Sequence, residues 1–220
     1  MIAALQVDRM VPALHEPTLI LASGAAVAIP PPRCPSAERA VRDALFARLR
    51  SLRCMPARGA HLAHSGGVVA YLTGTAGGTG VDLEWIRPRD VRSLARFAYS
   101  ADEARAIEDA PEALRLQSFY DLWVLKEAAG KALGLDLFTA LAQAQFRVEG
   151  GVITGELPGC HAWTAALYAP NPWLRVAIVA TGRAPAAGCD SAWSPTCVEW
   201  HANADAWSPA RWRRVAVSGA

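Results

Sequence analysis

Hydrophobic and polar positions switch between two periods along this chain, and the switches outline its elements. From Ser36 to Arg53, Val41, Leu45, Leu49 and Leu52 recur at helical spacing, Ser36 can cap the first turn and Glu38 falls inside it. The other face of this predicted helix carries Arg39, Arg42, Arg48, Arg50 and Arg53. Gly66-Gly67 then introduces the apolar run Val68 to Leu72, and a glycine-rich turn from Gly74 to Gly80 leads into Val81-Asp82-Leu83-Glu84-Trp85. That last segment alternates with period two, so Asp82 and Glu84 share one strand face. After Arg87-Pro88-Arg89 the period becomes helical around Ala101 to Asp109. It is helical again from about Glu112, after Pro111, to Leu133, where Gly134 stops it. On this long helix Trp123, Glu127 and Lys131 fall at i, i+4 and i+8 and form one stripe. From Phe146 to Thr181 short strands alternate with turns at Gly150-Gly151, Pro158-Gly159 and Asn171-Pro172.

The early apolar run from Leu19 to Ile29 reads as a buried strand. It is interrupted by Ser23-Gly24 and falls short of the roughly 20 apolar residues that span a bilayer. Met1 to Leu5 carries no positive charge, so a signal peptide is not expected. The pattern predicts an α+β chain of two halves joined near Gly80: residues 1–80, then 81–184 with the candidate metal and catalytic residues. Residues 185–220 form a Trp- and Ala-rich extension of unassigned role. In it Ala-Trp-Ser-Pro occurs at Ala192 to Pro195 and again at Ala206 to Pro209, and Trp193, Trp200 and Trp207 are spaced by seven. A helical appendage packing its tryptophans on the body, a partner-binding segment and a poorly ordered extension all fit that spacing, with packing preferred.

Composition narrows the classes. A chain of 220 residues can bury a full core without disulfide or metal staples. Its net charge of +2 predicts no strong global attraction to nucleic acid or membrane. Locally, seven arginines lie between Arg33 and Arg58 against only Glu38 and Asp43, a basic surface in the first half. The five cysteines, Cys34, Cys54, Cys160, Cys189 and Cys197, are odd in number and scattered, which fits free thiols in a reducing cytoplasm. Lys126 and Lys131 are the two lysines in a chain rich in arginine, so each is a candidate for lysine chemistry.

Three segments could carry that chemistry. Asp82 and Glu84 offer hard oxygen ligands with an open side, as magnesium prefers when it also binds phosphate; two solvated acids on a surface strand give the same pattern. Glu127 and Lys131, one helical turn apart, equally read as a surface ion pair worth about 0.3–0.5 kcal/mol. His64-Ser65-Gly66-Gly67 could contact phosphate oxygens through an imidazole, a hydroxyl and backbone amides, although a histidine in a turn is often structural.

In this order the segments resemble the 4'-phosphopantetheinyl transferases, specifically their larger monomeric, pseudo-dimeric type. The resemblance rests on His64-Ser65, on Gly80-Val81-Asp82-Leu83-Glu84, on Phe97 through Glu103 as a looser match, and on Trp123-Val124-Leu125-Lys126-Glu127-Ala128-Ala129-Gly130-Lys131 extended by Ala132-Leu133-Gly134. It covers about Ser36 to Gly182. It implies two similar α+β halves, each with a small antiparallel sheet packed on a long helix. It further implies transfer of the phosphopantetheine arm of coenzyme A to a serine of an apo acyl or peptidyl carrier protein, with release of adenosine 3',5'-bisphosphate. By the same resemblance Asp82, Glu84 and Glu127 would hold Mg2+, Glu127 would also deprotonate the serine, and Lys131 would stabilise or protonate the leaving group. His64, Ser65 and Arg39, with Arg53 and Arg58 as looser candidates, would contact coenzyme A. Arg87, Arg89, Arg92 and Arg96 would steer docking of an acidic carrier, or form an ordinary charged loop and helix start. The protein would act in the cytoplasm as a monomer. The residues also leave open a non-catalytic relative that binds coenzyme A or a carrier, and an unrelated magnesium-dependent phosphohydrolase using Asp82 and Glu84.

Overall fold

A computed structural model describes residues 18–23, 35–51, 62–73, 78–182, 195–201, 206–210 and 212–218. The chain runs β1 (Thr18–Ser23), α1 (Pro35–Ser51), β2 (Leu62–Ser65), β3 (Val68–Thr73), β4 (Thr79–Trp85), α2 (Val91–Ala98), α3 (Ala101–Asp109), α4 (Glu112–Leu133) and α5 (Leu137–Gln143). It continues through β5 (Gln145–Glu149), β6 (Val152–Glu156), β7 (Trp163–Asn171), β8 (Leu174–Thr181), β9 (Thr196–His201), β10 (Ala206–Pro209) and β11 (Arg213–Ser218).

The strands form a five-stranded sheet in the order β10-β9-β1-β3-β2 and a six-stranded sheet in the order β4-β8-β7-β11-β6-β5. The fold is α+β, and alternation along the strands decides its layering. In β1, Ile20 and Ala22 pack with Val41 and Leu45 of α1, whereas Leu19 and Leu21 pack with Val81, Leu83 and Trp85 of β4. The other face of the second sheet, through Leu167, Ala177 and Val179, packs with Phe119, Leu125, Ala128 and Ala129 of α4. The order is therefore α1, first sheet, second sheet, then the helices around α4.

Helix α4 has the predicted bounds: Pro111 occupies its N-cap and Gly134 takes the left-handed conformation, φ 70°, that ends it. His64 and Ser65 lie at the end of strand β2 rather than in a turn, and Gly66 and Gly67, both at positive φ, make the hairpin to β3.

The tail is strand where described, not a helical appendage. β9 pairs parallel to β1, and β11 lies between β7, antiparallel, and β6, parallel. Val198, Ala216 and Ser218 are buried. β11 satisfies backbone groups on β6 and β7 that would otherwise be open edges, a stronger demand than the helical reading of the tryptophan spacing. The seven-residue interval places Trp200 opposite Trp207 in the β9–β10 hairpin register; Trp193 lies outside the described residues. Among the described residues both parallel pairs are made by tail strands, and the remaining strand pairs are antiparallel.

Candidate active site

The carboxylates sit where the two sheets meet. β4 is an edge of the second sheet and β2 an edge of the first. Val81, Leu83 and Trp85 turn into the layer between the sheets, so period two directs Asp82 and Glu84 toward α4. Gly80 permits this contact. A Cβ there would lie 2.1 Å from the Ala128 carbonyl oxygen, 2.7 Å from the Ala132 nitrogen and 2.9 Å from the Lys131 Cβ. Only a residue without a side chain lets β4 and α4 approach so closely, which brings the acids of the strand to Glu127 and Lys131 of the helix.

Lys131 Nζ donates to Asp82 Oδ1 at 2.6 Å and to the Val81 carbonyl at 3.0 Å. Its ion-pair partner is thus the strand acid 49 residues away, not Glu127 one turn back. Asp82 is buried, and burial pushes its pKa up to about 8, with Glu127 and Glu84 adding repulsion and Lys131 opposing. Burial also raises the Glu127 pKa; the Lys131 charge opposes, Glu84 adds to the rise, and a hydrogen bond from Trp123 counters it. Glu84 Oε2 accepts from the Ser65 hydroxyl at 2.9 Å and from its neighbour's backbone, Trp85 N, at 3.2 Å. The Trp85 indole Nε1 donates to the Ser65 carbonyl at 3.0 Å.

Asp82, Glu84, Glu127, Lys131 and Ser65 are thereby brought together. His64 is exposed and alternates with Ser65 along β2, so it falls on the strand face of Leu62, which packs toward α1. Arg39 is exposed on α1, with the first sheet between that helix and the second sheet. Arg53 and Arg58 lie outside the described residues. Of the arginines after the strand, Arg92 lies 3.5 Å from Glu112, Arg96 pairs with Glu108, and Arg89 stands over the Tyr120 ring at 5.3 Å.

Two further ion pairs hold α4. Lys126, fully buried, donates to Glu103 Oε2 at 2.8 Å, to the Leu141 carbonyl at 2.8 Å and to the Ala144 carbonyl, and burial lowers its pKa. Glu103 also accepts from Ser100 N at 3.0 Å, Ser100 Oγ at 2.9 Å and Phe146 N at 2.9 Å. Arg175, the cross-strand partner of Glu84, donates from Nε to Asp121 Oδ1 at 2.6 Å. The Arg175 pair escaped the sequence reading because its members lie more than fifty residues apart; four-residue periodicity carries no trace of it.

The donor set suits a hard divalent cation, being three carboxylates without thiol or imidazole. Asp82 Oδ2 is buried without a hydrogen-bond partner, so a cation against it would supply the charge it lacks. Among the described residues no three His, Cys, Asp or Glu side chains are gathered closely enough to hold an ion as they stand. The acids line the site without forming a coordination shell.

Residues 78–167 match the profile of a family described as the 4'-phosphopantetheinyl transferase superfamily. Over 75 residues the chain is 40% identical to the 4'-phosphopantetheinyl transferase AcpT of Salmonella typhi, a match covering 34% of this chain and 39% of that protein. The AcpT of Escherichia coli (strain K12) is 36% identical over 75 residues, 34% of this chain and 38% of that protein. A longer match, 32% identity over 138 residues, is to the 4'-phosphopantetheinyl transferase psf-1 of Bacillus pumilus, covering 62% of this chain and 58% of that protein. The matched chain thus spans about two fifths of the AcpT relatives' length.

Proposed function

We propose, from the premise that residues 78–167 belong to the 4'-phosphopantetheinyl transferase superfamily, that this chain moves 4'-phosphopantetheine from coenzyme A to a serine of an apo acyl or peptidyl carrier protein. The observation that carries the reading is the contact between β4 and α4 at Gly80, which gathers Asp82, Glu84, Glu127 and Lys131 from two sequence segments.

The serine oxygen would form a bond to the phosphorus bearing pantetheine. The bond from that phosphorus to the bridging oxygen breaks, and its electron pair leaves with adenosine 3',5'-bisphosphate. Glu127 would take the serine proton, directly or through water; burial gives its carboxylate a higher proton affinity than a solvated one has. Lys131 donates to Asp82 in the free protein and is part-exposed, so its ammonium can stabilise or protonate the departing phosphate. Asp82, Glu84 and Glu127 would hold Mg2+, which would supply positive charge to neutralise the pyrophosphate. His64, exposed at the end of β2, is proposed to contact the phosphates of coenzyme A. Arg39, exposed on α1, is proposed to attract the 3'-phosphate of coenzyme A together with Arg53 and Arg58. Arg87, Arg89, Arg92 and Arg96 are proposed to steer the carrier electrostatically. Two halves in one chain favour a monomer, and the scattered cysteines favour the cytoplasm; among the described residues no helix is long and apolar enough to cross a membrane.

Incubation with coenzyme A, magnesium and an apo carrier protein, followed by intact mass spectrometry of the carrier, tests the proposal. A gain of one phosphopantetheine that chelator abolishes supports it. Free phosphate or nucleotide released without any change in the carrier would replace it with a phosphohydrolase.

A further inference from the structure

Ser65 differs from the other predicted phosphate contacts because its hydroxyl is already committed. At 7% exposure it lies under the surface, and a hydroxyl so placed needs a partner. That partner is Glu84 Oε2, at 2.9 Å. The same oxygen receives the Trp85 backbone N–H at 3.2 Å, so both donors hold one carboxylate oxygen and leave Oε1 to be presented to a cation. The Ser65 backbone is fixed in turn, since the fully buried Trp85 indole donates to its carbonyl at 3.0 Å. Ser65 is therefore tied to β4 at two points across the junction of the sheets. Reaching a coenzyme A phosphate would mean releasing Glu84 and leaving a buried position, whereas the adjoining His64 is exposed.

We propose that Ser65 is a positioning residue for Glu84: its hydroxyl sets the orientation in which that carboxylate meets a divalent cation, so the first sheet tunes metal affinity rather than coenzyme A affinity. The inference rests on the metal-dependent transferase reading above. It assigns Ser65 an acceptor within the protein in place of a substrate phosphate.

The test compares wild type, Ser65→Ala, Glu84→Ala and the double variant. Mn2+ binding to the free protein is followed by electron paramagnetic resonance, the KM for coenzyme A by phosphopantetheine transfer, and folding by thermal midpoint. Ser65→Ala is expected to weaken Mn2+ binding about tenfold, the effect of losing a hydrogen bond to a charged group, and to leave the KM for coenzyme A measured at saturating metal unchanged. In the Glu84→Ala background it should add nothing, because its action passes through that carboxylate. A KM for coenzyme A raised about tenfold with Mn2+ binding intact would instead make Ser65 a phosphate ligand. Equal losses in both backgrounds would reduce it to a structural residue. Wild type that transfers phosphopantetheine while Ser65→Ala binds Mn2+ normally sinks this inference alone; wild type that neither binds Mn2+ nor transfers sinks the metal-dependent reading, and this inference with it.

Discussion

Lys126→Met removes the ammonium from a site with no water to replace it. Lys126 is 0% exposed, and its three donors serve Glu103, Leu141 and Ala144. The variant leaves the Glu103 carboxylate buried beside an apolar chain and strips the partner from two carbonyls at the end of α5. Breaking a buried pair from one side costs about 3–5 kcal/mol. Glu103 keeps its donors from Ser100 and Phe146, which puts the expected loss near the lower end, about 3 kcal/mol. For a chain of this size that is roughly 6–12 °C in thermal midpoint. Circular dichroism melts of Lys126→Met, Glu103→Gln and the double variant decide the matter. The double variant should recover most of the loss, since a neutral pair leaves no stranded charge. A single variant within about 1 kcal/mol of wild type, or a double variant no more stable than Lys126→Met, would refute the argument.

Gly80→Ala should leave a folded protein but reduce transfer at least a hundredfold, because its Cβ would fall 2.1 Å from the Ala128 carbonyl and force β4 away from α4; normal turnover would show that the close approach is not needed. Glu127→Ala should abolish transfer while keeping most of the affinity for coenzyme A by calorimetry, and near-normal turnover would remove Glu127 from the mechanism. Burial pushes the Cys197 thiol up to about 12, with a hydrogen bond from Tyr168 opposing. Iodoacetamide at pH 8 should therefore spare Cys197 in the native protein and label it after denaturation, as peptide mass spectrometry would show; rapid native labelling would contradict that burial.

What the sequence disclosed was local. Pro111 and Gly134 bracket α4, and the period of Val81 to Trp85 gives the face of Asp82 and Glu84, because caps and alternation are written in neighbouring residues. The partner of Lys131 was not legible: four-residue spacing points to Glu127, and only the packing of a glycine against a helix reveals Asp82. Helix α2 was legible only as a helix start among Arg87 to Arg96, because its first turn is set by Asp90 accepting from Ser93 N at 3.1 Å, a cap two residues beyond Pro88. The tail misled for a different reason. An interval of seven fits a helical stripe and a hairpin register alike, and the open strands that receive β9 and β11 lie much earlier in the chain.

Those late strands govern the order of assembly. β9 lies beside β1, and β11 is inserted between β6 and β7. During synthesis β7 and β6 expose bare edges until residues 213–218 have left the ribosome, and β1 waits for residues 196–201 across almost the whole chain. Such sequence-distant pairings delay the rate-limiting step and leave sticky partial sheets exposed. β9 and β11 are the rivets of both sheets, so deletions that remove either strand will register as poor yield and aggregation well before they register as altered chemistry.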